Sequence, residues 1–428
     1  MSDKDVRQER PCKIQRQPML WFYSGHGGLG SVEALLRKDA FLVRCIHASE
    51  AVALGCCSID RCSIVSDSKR CAPAEFHQMT IRIGLIGGGN ITETHARAVR
   101  SMQDAEITAV VGSNAEKVNR LCREHGGQPF LDFQKFLDHR PMDMVIIGSP
   151  SGLHAHQGVA AAQRGLHVLT EKPIDISTQR ADALIQAAHR FGVKLGVIFQ
   201  DRVKPEICRL KERVSSGALG KAILADARVK WYRSSEYYGS SRWRGTLALD
   251  GGGALINQGV HTVDLLLWLL GDVVRVQART TTALHRIEGD DTAVAILEFA
   301  SGATGVLQAT TAAYPGYSRR VELTGSEGTI ILDNDRIVAT DLRSKPAAEA
   351  WDISPTPSES ASSPVVSDFR WHQAMLEDFI RAVRQNKTPV CNGHEGRRSL
   401  SVIEAIYRSA KNSNCVADVY NELHSPTQ

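Results

Sequence analysis

The sequence lacks the features that mark membrane, secreted and nucleic-acid-binding proteins. No uninterrupted apolar run reaches the ~20 residues that cross a bilayer. Lys and Arg are scattered without a basic block, and the net charge is only +4 over 428 residues, which gives no support for binding to nucleic acid. The first residues make a poor secretory signal, because their charged start is long and their apolar piece, MLWFY, is short. We therefore expect a cytoplasmic protein without a nucleic-acid or membrane partner.

The ten cysteines form neither a disulfide framework nor a familiar metal pattern. Six precede Met79, and the spacing CCSIDRC among them matches no zinc motif and is completed by no second Cys/His pair. The other four are far apart in the chain: Cys122, Cys208, Cys391 and Cys415. We expect reduced thiols and no bound metal.

Residues 1–78 differ from the rest of the chain, because they show no sustained period of 3.6 or 2. The first clean strand begins just after Met79. We expect residues 1–78 to be a disordered segment, or an upstream extension from a misplaced start codon, without a part in function. The apolar content of 43% is ample for buried cores, and the length allows two domains.

A first glycine triplet, Gly87 to Gly89, follows the apolar strand IRIGLI and precedes a segment with helical spacing. Strand, glycines and helix form the context of a dinucleotide fingerprint. Gly87 permits the tight turn, Gly89 lets a pyrophosphate approach the backbone, and Asn90 and Ile91 open the helix whose N–H groups face that phosphate. Since Thr92 replaces the third glycine of the pattern, an ordinary strand-to-helix turn stays open as the alternative.

The strand and helix alternation repeats along the following residues. Further strands are predicted in AEITAVVGS, DMVIIGSP, LHVLTEKP and KLGVIFQ, each separated from the next by a segment of helical period. This alternation is typical of a doubly wound parallel sheet, the Rossmann arrangement. Gly112 stands where an acid would select NAD, while Ser113 and Asn114 suit either a ribose or a 2′-phosphate. The sequence thus predicts NAD or NADP, with a slight preference for NAD.

The turn Glu171-Lys172-Pro173 ends one of these strands. Ligands in open α/β sheets bind at the carboxyl ends of the strands, so Lys172 should point toward the reactive end of the cofactor. A lysine there can hold a substrate hydroxyl and exchange its proton. The alternative is a solvated loop charge.

With these motifs in order, the sequence resembles the glucose–fructose oxidoreductase / inositol dehydrogenase family, often written Gfo/Idh/MocA. The resemblance covers about residues 79–415 and rests on GLIGGGNITETHARA, SPSGLHAH, EKPIDIS, GVIFQDRVKP, SGALGKA, GGGALINQGVHTVDLLLWLLG and GHEGRRSLSVIEAIYRSA. It implies a Rossmann domain, a C-terminal α+β domain with a large open, mainly antiparallel sheet, and homodimers or homotetramers formed through that sheet. It also implies oxidation of a secondary alcohol of a sugar or cyclitol by NAD(P). In this resemblance Ser149, Pro150 and His154 line the cofactor, Glu171 and Lys172 contact its nicotinamide side, and Gln200 lies close to it.

The second glycine triplet, Gly251 to Gly253, follows no strand and so predicts no second phosphate loop. We expect it to let the start of a helix over residues 254–270 pack closely against cofactor or substrate. Asn257, His261 and Asp264 would share one face of that helix. The position of His261 is a catalytic histidine in the family and that of Asn257 is often Asp, whereas a branch carries the pair NQ, as here.

Since an amide cannot act as a base, the proton chemistry is assigned to Lys172 and His261. A buried structural histidine is the alternative for His261, and a role in orienting His261 or capping a neighbouring loop is expected for Asp264. Tyr237, Trp243 and Arg244 are candidates for a sugar pocket. Trp231 is either a pocket residue or a core residue.

We therefore expect residues 79–200 to form the NAD(P)-binding domain and residues 201–415 the substrate and oligomerisation domain. The helices of 371–412 should pack back on the first domain, 343–370 should form a surface loop, and 416–428 a tail. The expected activity is hydride transfer between a ring secondary alcohol of a sugar, nucleotide sugar or cyclitol and nicotinamide. The alternatives are a non-catalytic NAD(P)-binding sensor or transcriptional regulator, which would need neither Lys172 nor His261, and an imine or bilin reductase of the same fold.

Overall fold

The structure, a computed structural model, describes residues 80–344 and 368–420. These residues belong to one compact unit. The predictions for residues 1–78 and for nearly all of the loop at 343–370 lie outside the described residues, as does the end of the tail beyond Tyr420. Within the described residues, no helix is both long and apolar enough to cross a membrane. The four cysteines found there are free thiols.

The first sheet has six parallel strands in the order β3-β2-β1-β4-β5-β6. Their bounds are β1 Ile81–Ile86, β2 Ala105–Val111, β3 Gln128–Phe130, β4 Met144–Ile147, β5 His167–Thr170 and β6 Leu195–Val197. The middle strand β4 is buried along its whole length, as expected for a parallel sheet covered on both faces. The strand order reverses between β1 and β4, and such a reversal is where dinucleotide-binding sheets hold their ligand. The prediction of a Rossmann sheet is confirmed.

Helices cover both faces of this sheet, and most begin with a side-chain cap that the sequence supplies. The helices are α1 Asn90–Arg100, α2 Ala115–His125, α3 Phe133–Asp138, α4 His154–Ala162 and α5 Thr178–Arg190, with short 3₁₀ turns at Ser151–Leu153 and Gln200–Val203. Asp132 caps α3 and Ser177 caps α5 through backbone N–H groups of their first turns. Both β3 and α3 were missed by the sequence interpretation, because each is too short to show a period.

The second sheet has eight strands in the order β13-β12-β11-β7-β10-β9-β8-β14. The bounds are β7 Ala222–Lys230, β8 Val273–Thr281, β9 Thr292–Phe299, β10 Thr304–Thr310, β11 Arg320–Gly325, β12 Gly328–Asp333, β13 Arg336–Leu342 and β14 Ala417–Asp418. Only β7 and β10 pair in parallel, so the prediction of a large, mainly antiparallel sheet is confirmed. The two residues of β14 fall within the segment 416–428 that was predicted to be a tail, and they pair with β8.

The remaining helices are α6 Pro205–Ser215, α7 Ser235–Gly239, α8 Val260–Leu270, α9 Arg370–Arg384 and α10 Gly393–Lys411. The prediction of one regular helix from Ala254 was wrong for its first six residues. Ala254–Gly259 form a π-helical turn that runs directly into α8. Such turns are rare and are frequent at functional sites.

The last two helices pack against the first sheet. In α9, Gln373 accepts a hydrogen bond from Ser101 at the end of α1, with 2.8 Å between Oγ and Oε1. In α10, Arg397 forms an ion pair with Asp182 of α5, and Glu404 accepts hydrogen bonds from Thr178 at the start of that helix. One continuous apolar core extends through both sheets.

Candidate active site

The glycine turn after β1 has the shape of a phosphate cradle. Gly87 has a φ of +133°, and a Cβ added there would lie 2.5 Å from the Thr92 hydroxyl and 2.8 Å from the Gly148 carbonyl oxygen. Gly89 is the N-cap of α1 and provides no side chain to its N–H groups. No described atom lies within 4 Å of a Cβ added at Gly89. The N–H groups of α1 are thus open to an anion that approaches over Gly89.

Of the two polar residues that follow β2, Asn114 is engaged in capping a helix and Ser113 is not. Ser113 is exposed, and the Asn114 carbonyl oxygen caps α2 by accepting from the N–H of Lys117 at 2.9 Å. The Asn114 amide keeps its two N–H donors for a ligand. A Cβ added at Gly112 would lie 2.9 Å from Val118, which explains why a small residue stands there.

His154 joins the two turns that follow β4 and β5. Its ring nitrogens lie 2.8 Å from the Pro173 carbonyl oxygen and 2.9 Å from the Ser149 carbonyl oxygen, and the side chain is buried. The Ser149 hydroxyl donates to Gln157 at 2.5 Å, and Pro150 starts the 3₁₀ turn. His154 therefore holds the turns after β4 and β5 together from within the protein.

Glu171 is buried beneath the Lys172 turn. Its Oε1 lies 2.8 Å from Nε2 of His95 in α1 and 3.8 Å from Nε2 of His372 in α9. Burial acts to raise the pKa of Glu171, but the hydrogen bond and charge of His95 outweigh it and hold that pKa at about 2. Glu171 is thus a carboxylate whose partners are histidines of the protein itself. Nothing in the sequence indicated these contacts to α1 and α9.

Lys172, two residues after the end of β5, reaches from the first sheet to the π-helical turn. Its Nζ donates to the backbone carbonyl of Asn257 in the π-helical turn at 2.8 Å. Burial lowers the pKa of Lys172, while the charges of Glu171 and Asp250 act in the opposite direction. A lysine with a lowered pKa can exchange a proton at lower pH than a surface lysine can.

The second glycine triplet packs against protein rather than facing open space. Gly251 has a φ of +82°, and a Cβ on Gly252 would lie 2.3 Å from the Tyr407 hydroxyl. A Cβ on Gly253 would lie 1.9 Å from the Asp290 carbonyl oxygen. The Asp290 carboxylate also accepts from the N–H groups of Gly253 and Leu255 and so caps the π-helical turn. The close approach that Gly252 and Gly253 permit is therefore to Tyr407 and Asp290 of the protein itself, and the packing of this turn against cofactor or substrate stays a prediction.

His261 is the second residue of α8, two residues after the end of the π-helical turn. Its ring packs edge-on against Phe199 at 5.9 Å between centroids, and its Nδ1 has no hydrogen-bond partner within the described residues. Burial and the positive charge of Lys172 lower the pKa of His261 to about 3, so the imidazole is neutral at physiological pH. A neutral imidazole can both accept and donate a hydrogen bond.

Asp264 serves the interior of the protein. Its oxygens accept two hydrogen bonds from Arg202, at 2.7 and 2.9 Å, and one from Ser399 at 3.2 Å. The carboxylate is therefore engaged by Arg202, from the turn after β6, and by Ser399 of α10. Its expected role in orienting His261 or capping a loop is replaced by this buried ion pair.

Asn257 and Asp250 are hydrogen-bonded to each other in the wall of a small cavity. Asn257 Nδ2 donates to Asp250 Oδ1 at 2.7 Å, and Asn257 Oδ1 accepts from Gln258 at 3.1 Å. The lining residues of the cavity are Tyr237, Tyr238, Asp250, Gly253, Asn257 and Gln258. The sequence interpretation gave Asp250 no role. The available signal was a carboxylate directly before three glycines, in a segment that is not a strand.

Aromatic rings and arginines form one wall beside this cavity. The Arg244 guanidinium lies 4.4 Å over the Tyr237 ring and 5.7 Å from the Trp243 ring. Arg233 lies 5.7 Å from the Tyr237 ring and 5.3 Å from Trp231. Trp231 is buried, at 8% exposure, which favours its interpretation as a core residue. The predicted sugar-pocket residues Tyr237, Trp243 and Arg244 are thus brought together.

The residues of the first sheet fit a nicotinamide cofactor. The N–H groups of α1 are uncapped by any side chain, and the turn that precedes them is open above Gly89. Gln200, the first residue of the 3₁₀ turn that follows β6, has a buried Oε1 without a hydrogen-bond partner among the described residues. A buried acceptor of this kind is costly unless a ligand or water donates to it.

Comparison with known proteins agrees with this arrangement. A family model described as an oxidoreductase family with an NAD-binding Rossmann fold, GFO_IDH_MocA, matches residues 81–199, and the model of the GFO/IDH/MocA C-terminal domain matches residues 207–331. Together the two models span more than half of the chain, and their boundary falls in the turn that follows β6.

Similar proteins include dehydrogenases of known structure or activity. The WlbA dehydrogenase from Bordetella pertussis, solved with NADH and UDP-GlcNAcA, is 30% identical, with a TM-score of 0.72 over 80% of this chain and 100% of that chain. The myo-inositol 2-dehydrogenase of Thermotoga maritima is 27% identical over 78% of this chain and 98% of that protein. The inositol 2-dehydrogenase of Rhizobium meliloti is 25% identical over 77% of this chain and 97% of that protein. The chain therefore belongs to the GFO/IDH/MocA family of oxidoreductases.

Proposed function

We propose that the protein is a dehydrogenase that moves a hydride between nicotinamide and a ring secondary alcohol of a sugar, nucleotide sugar or cyclitol. One observation carries this proposal. Lys172, whose pKa is lowered, follows β5 and donates to the π-helical turn at 2.8 Å, and its charge acts on the neutral His261. Names of similar proteins support the substrate class: two act on inositols, and a third was solved with a nucleotide sugar.

Residues of the first sheet would hold the cofactor, with residues 79–200 proposed as its domain. The pyrophosphate would lie over Gly87 and Gly89 at the first residues of α1, Asn90 and Ile91. The adenosine ribose would meet Ser113 and Asn114. The nicotinamide side would face Lys172 and Gln200, while Ser149, Pro150, His154 and Glu171 shape the turns around it. The neutral side chains after β2 and the NADH-bound relative favour NAD over NADP. NAD bound by these residues would supply the hydride acceptor, and the alcohol, oxidised to a ketone, would release one proton.

Lys172 would receive that proton. Its neutral amine accepts the hydroxyl proton as the C–H bond breaks, and the resulting ammonium returns it to solvent. His261, neutral because its pKa is about 3, would hold the same hydroxyl by a hydrogen bond and relay the proton. Asn257 carries no charge, as expected for the branch of the family with NQ at this place, and it orients the substrate through its amide.

The wall formed by Tyr237, Trp243 and Arg244 would bind the rest of the substrate, with residues 201–415 as its domain. Aromatic faces suit the C–H-rich face of a sugar ring, and a guanidinium suits hydroxyl or carboxylate oxygens. Arg244 is fixed by donating to the Tyr237 carbonyl and to Ser240, both at 3.1 Å, so it presents its remaining N–H groups in a defined direction.

We also propose that two or four copies assemble through the open face of the second sheet. Leu224 of β7 and Val294 and Ile296 of β9 are 46–50% exposed on this sheet. Apolar side chains grouped on a sheet face are typical of an interaction surface. Light scattering of the purified protein measures the number of copies, and a monomer at micromolar concentration would contradict this part of the proposal.

The test is formation of reduced nicotinamide by the full chain with inositols, free sugars, glycosides and nucleotide sugars, each with NAD and with NADP. Lys172→Met should lower kcat/KM by about 10³-fold or more, because a positioned acid–base group contributes 10²–10⁴. Lys387→Met, at an exposed lysine after α9, is the matched control and should leave turnover unchanged. Cofactor binding without turnover across the whole panel would contradict the proposal and favour a cofactor sensor.

A further inference from the structure

Asp250 is a buried carboxylate at the active site whose oxygens accept from neutral groups. Oδ1 accepts from the Asn257 side chain at 2.7 Å, and Oδ2 accepts from the N–H of Gly245 at 2.8 Å. Only 1% of the residue is exposed. Burying a charge is costly unless it is well paired, so a carboxylate at this position calls for a functional or structural reason.

Asp250 fixes the orientation of the Asn257 amide. Because a carboxylate only accepts, Asn257 must turn its N–H₂ group toward Asp250, and this leaves its Oδ1 to accept from Gln258 at 3.1 Å. Gln258 in turn lies 3.5 Å from the Tyr237 hydroxyl. One N–H and one lone pair of the Asn257 amide then stay available for a substrate hydroxyl. All four side chains line the same cavity.

Asp250 and Lys172 lie on two sides of the same residue. Lys172 binds the backbone carbonyl of Asn257, and Asp250 binds its side chain. The negative charge of Asp250 raises the pKa of Lys172, and the positive charge of Lys172 lowers the pKa of Asp250 in return. Burial nevertheless raises the pKa of Asp250 to about 6. The other titratable groups that face Asp250 are Arg244, Tyr237 and Tyr238, and those that face Lys172 are Glu171, Asp201, Arg233 and His261.

We propose that Asp250 is a positioning residue of this active site, which holds the Asn257 amide in one orientation and supplies the negative charge beside Lys172 that Asn257 itself lacks. This inference rests on the proposed function, since it assigns the acid–base step to Lys172. It predicts that the charge at Asp250 sets the pH range in which Lys172 works.

Two variants separate charge from hydrogen bonding. Asp250→Asn removes the charge. It also breaks one of two hydrogen bonds, because the single side-chain oxygen of asparagine cannot accept from both Asn257 and Gly245. The double variant Asp250→Asn with Asn257→Asp restores every hydrogen bond. The oxygen at 250 accepts from Gly245, its N–H₂ donates to the new carboxylate at 257, and that carboxylate accepts from Gln258. Only the location of the charge is exchanged.

The single variant should lower kcat/KM by about 10- to 100-fold, mainly through kcat, because a misplaced reactive group costs this much. The rising limb of its pH profile should also shift to lower pH, since a cation that loses a nearby anion gives up its proton more easily. The double variant should return the limb toward the wild-type position and recover activity to within about tenfold. If Asp250 had only a structural role, its substitution would lower the stability of the protein and leave the rising limb of the pH profile in place.

A second measurement needs no substrate. Lysines are reductively methylated with ¹³C-formaldehyde in the full chain without cofactor, and the Lys172 resonance is assigned by its loss in Lys172→Met. Its pKa should fall in Asp250→Asn and rise again in the double variant. Asp290→Asn is the matched control, because Asp290 is also a buried carboxylate that accepts from backbone N–H groups, on the other side of the glycine turn. It should lower the unfolding temperature and leave the pKa of Lys172 in place.

The kinetic and the NMR measurements together distinguish a failure of this inference from a failure of the proposed function. If the wild-type protein turns over no alcohol, the proposed function fails, and the Lys172 resonance alone decides the role of Asp250. An unchanged pKa of Lys172 in Asp250→Asn, with the variant folded by circular dichroism, would overturn the inference whether or not the protein is active.

Discussion

The two glycine triplets have the same three letters and opposite surroundings. At Gly89, in the first triplet, an added Cβ would meet no described atom within 4 Å, whereas at Gly253, in the second, it would lie 1.9 Å from a backbone oxygen. The first turn leaves space for something outside the chain. The second lets Asp290 and Tyr407 reach the start of the π-helical turn that carries Asn257. Glycine therefore marks a close approach, and only the neighbouring structure tells whether a ligand or the protein itself approaches.

The largest expected contrast is in pH dependence: kcat/KM, which depends on Lys172, should change with pH, whereas NADH binding at the first triplet should not. Burial lowers the pKa of Lys172 below its ordinary value of 10.5, and alcohol oxidation needs its neutral form. Below this lowered pKa, kcat/KM should fall about tenfold per pH unit, and above it the rate should level off. The affinity for NADH, which depends on the first triplet, should stay constant over the same range. Initial rates and fluorescence titrations across pH measure the two quantities, and a flat rate profile would assign the proton transfer to a group other than Lys172.

Gly253→Ala should be the most damaging change to the fold at either triplet. Its methyl group would overlap the Asp290 carbonyl oxygen, and overpacking of this kind costs about 3 kcal/mol. Urea denaturation followed by circular dichroism measures the free energy of unfolding. The control is Gly89→Ala, at a position with a φ of −93° that alanine adopts without strain. If both variants lost the same free energy of unfolding, the second turn would not be more tightly packed against protein than the first.

Gly89→Ala should act on binding instead. Folding stability should change by less than about 0.5 kcal/mol, as for surface substitutions. The methyl group would stand between the α1 N–H groups and the pyrophosphate, so the Kd for NADH should rise about tenfold, equivalent to about 1.4 kcal/mol. Isothermal titration measures this Kd, with Gly239→Ala as a control that should bind normally, because Gly239 is exposed at the end of α7 and an added Cβ there meets no described atom within 4 Å. An unchanged Kd in Gly89→Ala would show that the phosphate lies elsewhere.

The sequence allowed the first sheet to be predicted well, because its signals are local. The apolar strands, the glycine turn and the position of Lys172 each depend on residues that are neighbours in the chain. The prediction failed where the cause lies far along the chain. The π-helical turn depends on Asp290, 37 residues after Gly253, and the partner of Glu171 in α1 lies 76 residues before it. Helical spacing alone therefore placed Asp264 beside His261, whereas Arg202 engages its carboxylate.

Asp250 was missed for a related reason. A carboxylate before glycines is common in turns, and its sequence gives no indication that both oxygens are buried. Its importance depends on the Asn257 side chain, which the π-helical turn places within 2.7 Å. A regular helix from Ala254 would direct that amide differently, so an error in local geometry concealed a contact in the site.

The contact of Glu171 with His372 has a consequence for how the chain is made. Ribosomes deliver residues in order, and the turn that carries Lys172 emerges about two hundred residues before the helix that contains His372. Until α9 and α10 arrive, the nascent first sheet lacks the helices that cover α1, α5 and β6, and its apolar surface is exposed to aggregation. A gene cut after residue 200 should therefore yield an insoluble first half, even though every strand of the Rossmann sheet has been translated.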